Sequence, residues 1–235
     1  MDLVVDCGSA SLRAGWAGDD APAVVTPSAC GGRNSEALEF DPGDKNPPRF
    51  AVSRGRVVDW EAMVEVWGRL EELINAKISD VSSVLVIESP RTGIAADRKH
   101  WGEKLFETFG AQSVSIMNSA PLVLFASGRT SGVAIDIGAG LTSVVPVFEG
   151  VALNHASLFM DFGGQDITLQ LLELLAKRSI NIDFGHCRFL KEKMASVAPK
   201  RGGQRPKATN VSCFLPDGSH SLRLLSFIHH LTRFI

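Results

Sequence analysis

Two stretches of the chain have the residue types and spacing to bind phosphate. In residues 4–11 an apolar strand runs into Asp6 and a turn of small residues, and residues 134–141 repeat that order around Asp136. Small residues in such a turn let backbone N–H groups approach phosphate oxygens and form an anion nest. An aspartate at each strand end can hold a hydrated Mg²⁺ through its waters, and Arg13 would add a positive charge. The pair predicts a site for phosphate and magnesium.

A single Asp-x-Gly at a strand end would more simply be the turn of a hairpin. Here two matching copies lie 130 residues apart, and each continues into a second apolar strand. The repetition favours the functional interpretation. It predicts a duplicated domain in which two equivalent hairpins face each other across a cleft.

The elements that must position these turns alternate along the chain. In the clearest helix Asp59 is a suitable N-cap, and apolar residues recur at helical spacing: Met63, Val66, Trp67, Leu70, Leu73 and Ile74. The predicted strands are 3–5, 12–16, 84–87, 113–117, 133–137, 142–148, 211–215 and 221–225, and the predicted helices are 60–76, 97–109, 120–127, 165–177 and 188–197. This alternation indicates an α/β fold with mixed sheets.

Composition narrows the class of protein. Of 235 residues, 45% are apolar and 21% are charged, and the formal net charge is −2. That balance supports a folded core and offers no general attraction to nucleic acid or to an anionic membrane. No apolar run approaches the ~18 residues of a membrane span, and no basic leader precedes the first strand. We therefore expect a soluble intracellular protein.

Two smaller signals favour structural interpretations. The cysteines are too far apart for a zinc ribbon or a disulfide scaffold: Cys7, Cys30, Cys187 and Cys213. The basic segment 188–207 is more simply a solvated surface than a nucleic-acid contact. We expect neither a metal cluster nor a direct nucleic-acid partner.

Beyond the two turns, longer motifs lie in the order found in one known family. They are residues 13–22 (Arg-Ala-Gly-Trp-Ala-Gly-Asp-Asp-Ala-Pro), 55–63, 105–109, 126–132, 145–150, 190–193 and 215–218. Together they strongly resemble actin and the actin-related proteins, from residue 3 to about residue 225. The resemblance implies two ribonuclease-H-like α/β domains with ATP or ADP and Mg²⁺ between them. By that resemblance the first domain is 1–126, with a shortened insertion at 32–54, and the second is 127–235, incomplete and truncated at its C-terminus.

The resemblance also assigns site residues. The first phosphate loop would comprise Asp6, Gly8, Ser9, Ala10 and Arg13. The second would comprise Asp136, Gly138, Ala139 and Gly140. The adenosine side would be lined by Gly164, Arg188, Lys191 and Glu192.

The departures from the family pattern concern hydrolysis. Actins carry Gly at the place of Ala10, Lys at the place of Arg13 and a second Asp at the place of Ala139. The glutamine that orients the attacking water would fall near Ser119, and the supporting histidine near Ser143. Because phosphoanhydride hydrolysis depends on positioning that water, we expect no meaningful ATPase activity.

The function implied is that of a divergent, non-filamentous actin-related protein acting as a scaffold. The motifs are closer to nuclear members, whose partner would be a helix of a larger chromatin-remodelling subunit. One alternative is a cytoskeletal, cytoplasmic protein that binds ATP and joins other actin-family members. Another is a sugar-kinase-like phosphotransferase using Asp161 or Asp166, and a third is a truncated copy without stable function.

Overall fold

A computed structural model describes residues 1–31, 48–91, 95–194, 212–214 and 221–223. The chain forms two compact units, one of residues 1–31 with 48–164, the other of residues 32–47 with 165–235. Residues 32–47 of the predicted insertion, the basic loop at 199–207 and the segment 224–235 lie outside the described residues. The domain boundary predicted at residue 126 stays a prediction.

Among its described residues the first unit contains a five-stranded sheet, a four-stranded sheet, two two-stranded sheets and three α-helices. Its strands are β1 (Asp2–Cys7), β2 (Ser11–Trp16), β3 (Val24–Pro27), β4 (Ala29–Cys30), β5 (Arg49–Phe50), β6 (Val52–Ser53), β7 (Arg56–Val57), β8 (Ser83–Glu88), β9 (Val114–Asn118), β10 (Gly132–Ile137), β11 (Thr142–Phe148), β12 (Val151–Ala152) and β13 (Leu158–Met160). Its helices are α1 (Trp60–Ile74), α2 (Ala95–Glu103) and α3 (Ser119–Ala126). Mixed sheets with interspersed helices confirm the predicted α/β class.

The larger sheet has the strand order β3-β2-β1-β8-β9. β1 pairs antiparallel with β2 and parallel with β8, so it is a central strand. Central parallel strands are buried on both faces and read as continuous apolar runs. That explains why Val84–Ile87 shows no alternation yet forms a strand, as predicted.

Helix α1 packs on this sheet through a buried apolar stripe of Met63, Val66, Trp67 and Leu70. The helix begins at Asp59, whose carboxylate accepts a hydrogen bond from the backbone N–H of Ala62 at 2.9 Å. It ends with Asn75 in the left-handed region, where Asn is tolerated. The predicted cap is confirmed, and so is the stripe as far as Leu70. Of the last two predicted positions, Ile74 is half-buried against the core, whereas Leu73 is 48% exposed and was wrongly predicted.

The predicted helix 97–109 has a different form at its end. Helix α2 stops at Glu103 and continues as a π-helical turn over Lys104–Thr108. Leu105 in this turn and Trp101 before it are buried in the core with Trp67. Periodicity at 3.6 residues cannot signal a π-turn, because one extra residue per turn shifts only the last side chains.

The smaller sheet is built around β11, which pairs antiparallel with β10, β12 and β13. Helix α3 covers one face of this sheet, and the core between them contains Ala120, Leu124, Ala134, Val145 and Val147. Within the described residues β10 pairs only with β11, so its outer edge has no strand beside it.

The second unit contains α4 (Gly164–Ala176), whose residues from Gln165 onward belong to it, and α5 (Phe184–Met194). Leu171 and Leu175 of α4 form a buried cluster with Cys187 and Leu190 of α5. The predicted hairpin is confirmed as β14 (Ser212–Phe214) paired antiparallel with β15 (Ser221–Arg223). A search of the described helices finds none long and apolar enough to cross a membrane.

Candidate functional site

The two predicted turns have the same backbone geometry. In the first, the N–H of Gly8 donates to the carbonyl of Ser11 at 3.1 Å; in the second, the N–H of Gly138 donates to the carbonyl of Leu141 at 2.9 Å. The pairs that close the hairpins, Cys7 with Leu12 and Ile137 with Thr142, are likewise equivalent. The sequence repeat is thus also a structural repeat, and the equivalent residues of the two hairpins are 130 positions apart.

The tips of the two turns lie against each other. A Cβ on Gly140 would be only 2.9 Å from Oγ of Ser9, which is buried beneath it. Oγ of Ser9 accepts a hydrogen bond from the N–H of Gly55 at 3.1 Å, and the Arg54 guanidinium donates to the Gly140 carbonyl at 3.0 Å. The turn at Arg54 and Gly55 therefore forms a hydrogen bond with each of the two turns.

The second turn is also closed from the side of residues 162–164. The N–H of Gly164 donates to the Gly138 carbonyl at 3.0 Å. A Cβ on Gly163 would come within 2.5 Å of the Ala139 carbonyl oxygen, so glycine is required there for this close approach. Thr142 Oγ donates to the Phe162 carbonyl at 2.8 Å. Gly164 therefore lies at the second loop.

The carboxylates at the base of the turns interact electrostatically. Burial raises the pKa of Asp6, Arg13 opposes that rise, and the negative charge of Asp136 adds to it. The Arg13 guanidinium lies 3.3 Å from the Asp6 carboxylate and remains more than half exposed. Asp136 is exposed. The site therefore concentrates two carboxylates of like charge, with one cation next to the first.

This donor set suits a hydrated divalent cation. Two nearby carboxylates repel each other, and a cation held through its own waters would relieve that repulsion. Direct coordination by protein would need more ligands, and within the described ranges no group of three or more His, Cys, Asp or Glu side chains is placed to hold a metal. That Asp6 and Asp136 hold Mg²⁺ through its waters stays a prediction.

The two hairpins differ in the residue opposite each aspartate. Arg13 is directly opposite Asp6, whereas Ser143 is directly opposite Asp136. Ser143 is buried on β11, and its side chain is uncharged. Ser119, the other predicted departure, is the half-buried first residue of α3. Each position thus carries a short hydroxyl side chain.

The remaining predicted residues lie on α5, in the second unit. The Arg188 guanidinium donates to the Glu192 carboxylate at 2.9 Å, one helical turn away. Burial lowers the pKa of Lys191. These three residues are close together on one helix, and their proposed role on the adenosine side stays a prediction.

Cys7 borders the first aspartate without taking part in polar chemistry. It packs against the core that contains Trp67 of α1, and burial raises the pKa of its thiol. Burial also raises the pKa of Cys187 to about 12. Both thiols are neutral near pH 7, which supports the predicted structural role of Cys7.

Three residues of the site are not among the site residues predicted from the sequence. Arg54, Gly55 and Gly163 are distant from both Asp-x-Gly turns in the chain and come close only in the folded unit. The adjacent pair Arg54 and Gly55, both with positive φ, marks a tight turn. A turn can be read from a sequence, but its contact with another turn cannot.

Comparison with known families agrees with this geometry. The family model for actin matches residues 1–212, which include both Asp-x-Gly hairpins, the Arg54–Gly55 turn and the described helices. The match covers well over half of the chain, so this protein belongs to the actin family.

Proposed function

We propose that this protein binds ATP or ADP with Mg²⁺ at its twin turns without turning the nucleotide over, and acts as a non-filamentous scaffold. The observation that carries the proposal is the equivalence of the two turns, which abut at Ser9 and Gly140 and carry Asp6 and Asp136 at their bases. Actin-family folds bind nucleotide with a divalent metal. Each turn keeps the glycine of its Asp-x-Gly pattern, Gly8 or Gly138, whereas Ala10 stands where actins carry Gly.

Each residue of the turns has a definable part in binding. Gly8, Gly138 and Gly140 are needed for the turns to close, because a Cβ at any of them would press on neighbouring atoms of the turns. Ser9 and Ala10 complete the first turn. Arg13 places a positive charge beside the phosphates. Bound Mg²⁺ would neutralise phosphate charge. Asp6 and Asp136 would orient its waters, whereas Ala139 contributes no carboxylate and leaves that shell weaker.

The absence of turnover is argued from side-chain reach. An in-line water must be held at a fixed place and its proton accepted. The hydroxyls of Ser119 and Ser143 lie about two bonds nearer the backbone than the glutamine amide oxygen and the histidine Nε2 that the family pattern has there. Neither hydroxyl is a base near neutral pH. The protein would therefore hold ATP as a structural ligand.

The narrower identity follows the motif resemblance alone. We propose a nuclear actin-related protein whose partner is a helix of a larger subunit, as in chromatin-remodelling assemblies. The cytoskeletal alternative would require assembly with itself or with actin, which co-sedimentation in polymerising salt would reveal. For the phosphotransferase alternative, one candidate base, Asp161, forms an ion pair with Arg91, including a contact of 3.2 Å from Arg91 Nη2.

The experiment is a titration of the full chain with a fluorescent ATP analogue, with and without Mg²⁺. We expect saturable, Mg²⁺-enhanced binding that weakens at least about tenfold in Asp136→Asn. Asp80→Asn, an exposed carboxylate of the same unit at the end of a 3-10 turn, is the matched control and should bind like wild type. Equal binding by wild type and Asp136→Asn, or no binding by wild type, would overturn the proposal.

A further inference from the structure

An ion pair joins the loop after β8, in the larger sheet, to the segment after β13, in the smaller sheet. The Arg91 guanidinium contacts both carboxylate oxygens of Asp161, one of them at 3.2 Å from Nη2, although the two residues are 70 positions apart. The Arg91 side chain is 33% exposed and that of Asp161 57% exposed. A two-point contact of this kind fixes the orientation of both groups. We call residues 161–164, which begin at this contact, the strap.

The strap lies against the second phosphate turn. The backbone N–H of Gly164 donates to the Gly138 carbonyl at 3.0 Å. Gly163 is so close to the turn that a Cβ there would lie 2.5 Å from the Ala139 carbonyl oxygen. The position of the strap therefore bears directly on the backbone of the turn that carries Asp136.

The other end of the ion pair is anchored where the two turns meet. Ser89 Oγ accepts a hydrogen bond from the backbone N–H of Arg91 at 3.4 Å. A Cβ on Gly55 would lie 2.6 Å from Ser89 Oγ and 3.1 Å from Leu141 Cδ2, so these three residues pack closely. The N–H of Gly55 in turn donates to Ser9 Oγ of the first turn. The contacts form a ring that runs from the first turn to Arg91, across the ion pair to the strap, and through the second turn back to the first.

The ion pair is a link of this ring that can be removed without a steric clash. A Cβ on Gly55 or Gly163 would press on neighbouring atoms, whereas the side chains of Arg91 and Asp161 both reach solvent. Ion pairs of that exposure change an equilibrium by about two- to fivefold. An effect of this size would alter how often the strap leaves the second turn and would leave the global fold intact.

We propose that Arg91 is a positioning residue for the second phosphate turn, and that its ion pair with Asp161 slows the release of bound nucleotide. Arg91 acts through the strap, which holds Gly138 and Ala139 in the geometry of the turn. The effect on release rests on the nucleotide binding proposed above, whereas the effect on the strap does not. Because loss of the pair frees the strap, nucleotide should leave faster when either partner is replaced.

The first measurement is hydrogen exchange by NMR at the backbone N–H of Gly164, in the nucleotide-free full chain. Arg91→Met, similar in length and uncharged, and Asp161→Asn should each raise the exchange rate about two- to fivefold. Arg49→Met removes another partly exposed two-point ion pair, with Asp59. It is the matched control and should leave exchange at Gly164 unchanged. Wild-type exchange in both Arg91→Met and Asp161→Asn would overturn the proposal.

The second measurement is the release rate of the fluorescent ATP analogue with Mg²⁺, chased by excess unlabelled ATP. Arg91→Met and Asp161→Asn should each speed release about two- to fivefold, and the double variant should be no faster than either, because both substitutions remove the same contact. Arg91→Lys keeps the charge and should recover part of the difference. At about 0.5 M salt the difference from wild type should shrink. Additive effects, or wild-type release in both single variants, would contradict the positioning role.

The two measurements keep this proposal apart from the proposed function. A chain that binds no nucleotide contradicts the proposed function and the claim about release, and exchange at Gly164 then decides alone whether Arg91 positions the strap. A wild-type chain that binds nucleotide, together with unchanged exchange and release in Arg91→Met, supports the proposed function and overturns the role of Arg91.

Discussion

At the residue scale, the second turn lacks charged side chains that the family pattern and the first turn have. The second turn carries Ala139 where the family pattern has an aspartate, and Ser143 where the first turn has Arg13. The two hairpins share a backbone geometry yet differ in charge. We therefore expect single substitutions at these positions to change nucleotide binding and nucleotide hydrolysis separately.

We predict that Ala139→Asp tightens Mg²⁺-dependent ATP binding by about tenfold, because a third carboxylate at the turns would help to hold the waters of the cation. The measurement is the ATP-analogue titration with and without Mg²⁺. Ala139→Asn, similar in size and uncharged, should bind like wild type. Equal gains for both variants would mean that side-chain size rather than charge limits the site.

Gly163 tests the close approach at the second turn. A Cβ there would lie 2.5 Å from the Ala139 carbonyl oxygen, and backbone cannot move aside cheaply. We predict that Gly163→Ala lowers the free energy of unfolding by about 1–3 kcal/mol, the usual cost of overpacking. Gly68→Ala, in α1 with open space around it, should be neutral or up to about 1 kcal/mol more stable. Denaturant unfolding of both variants decides; similar values would contradict the packing argument.

Some residues of the candidate site were predicted from the sequence, and others were not. Asp6, Gly8, Asp136 and Gly138 were predicted because each stands in a local pattern that repeats. The contact between the turns and the Arg54–Gly55 turn was not predictable, since it joins segments more than 40 residues apart that share no periodic signal. Local turn chemistry can be read from sequence, whereas which turns meet depends on the packing of whole sheets.

At the element scale, helix α1 fixes the geometry of the larger sheet, and its start depends on Asp59. Hydrogen bonding to the backbone N–H of Ala62 lowers the pKa of Asp59, and Arg49 lowers it further. A folded-state pKa below the unfolded value means that the ionised cap stabilises the protein above the unfolded pKa. That stabilisation is lost as pH falls through the folded pKa.

We predict that Asp59→Ala lowers the free energy of unfolding by about 1 kcal/mol at pH 7, and that this difference shrinks below about pH 4 as the wild-type cap is protonated. Asp59→Asn keeps a good N-cap and should lose about 0.5 kcal/mol or less. Urea unfolding at the two pH values provides the measurement. A difference between wild type and Asp59→Ala that grows on acidification would contradict the assigned cause.

Elements were predicted well where one period governs them. Strands β1, β8 and β11 and helix α1 follow their apolar patterns closely. The π-helical turn after α2 and the short strands β12 and β13 were missed, because two- or three-residue pairings and an inserted residue leave no period to detect.

At the scale of the whole molecule, the repeat explains the proposed site. Two hairpins with one geometry place Asp6 and Asp136 at equivalent positions of their turns. A protein that holds nucleotide as a ligand would have its stability linked to nucleotide binding.

The most direct test of the central claim is the chemical identity of nucleotide retained by the full chain. The protein would be incubated with Mg²⁺ and γ-labelled ATP, freed of unbound nucleotide by gel filtration, and the bound fraction analysed over several hours. Our account predicts stoichiometric bound ATP with its label intact and no sedimentation in polymerising salt. Bound ADP with released phosphate, or a chain that retains no nucleotide, would contradict it.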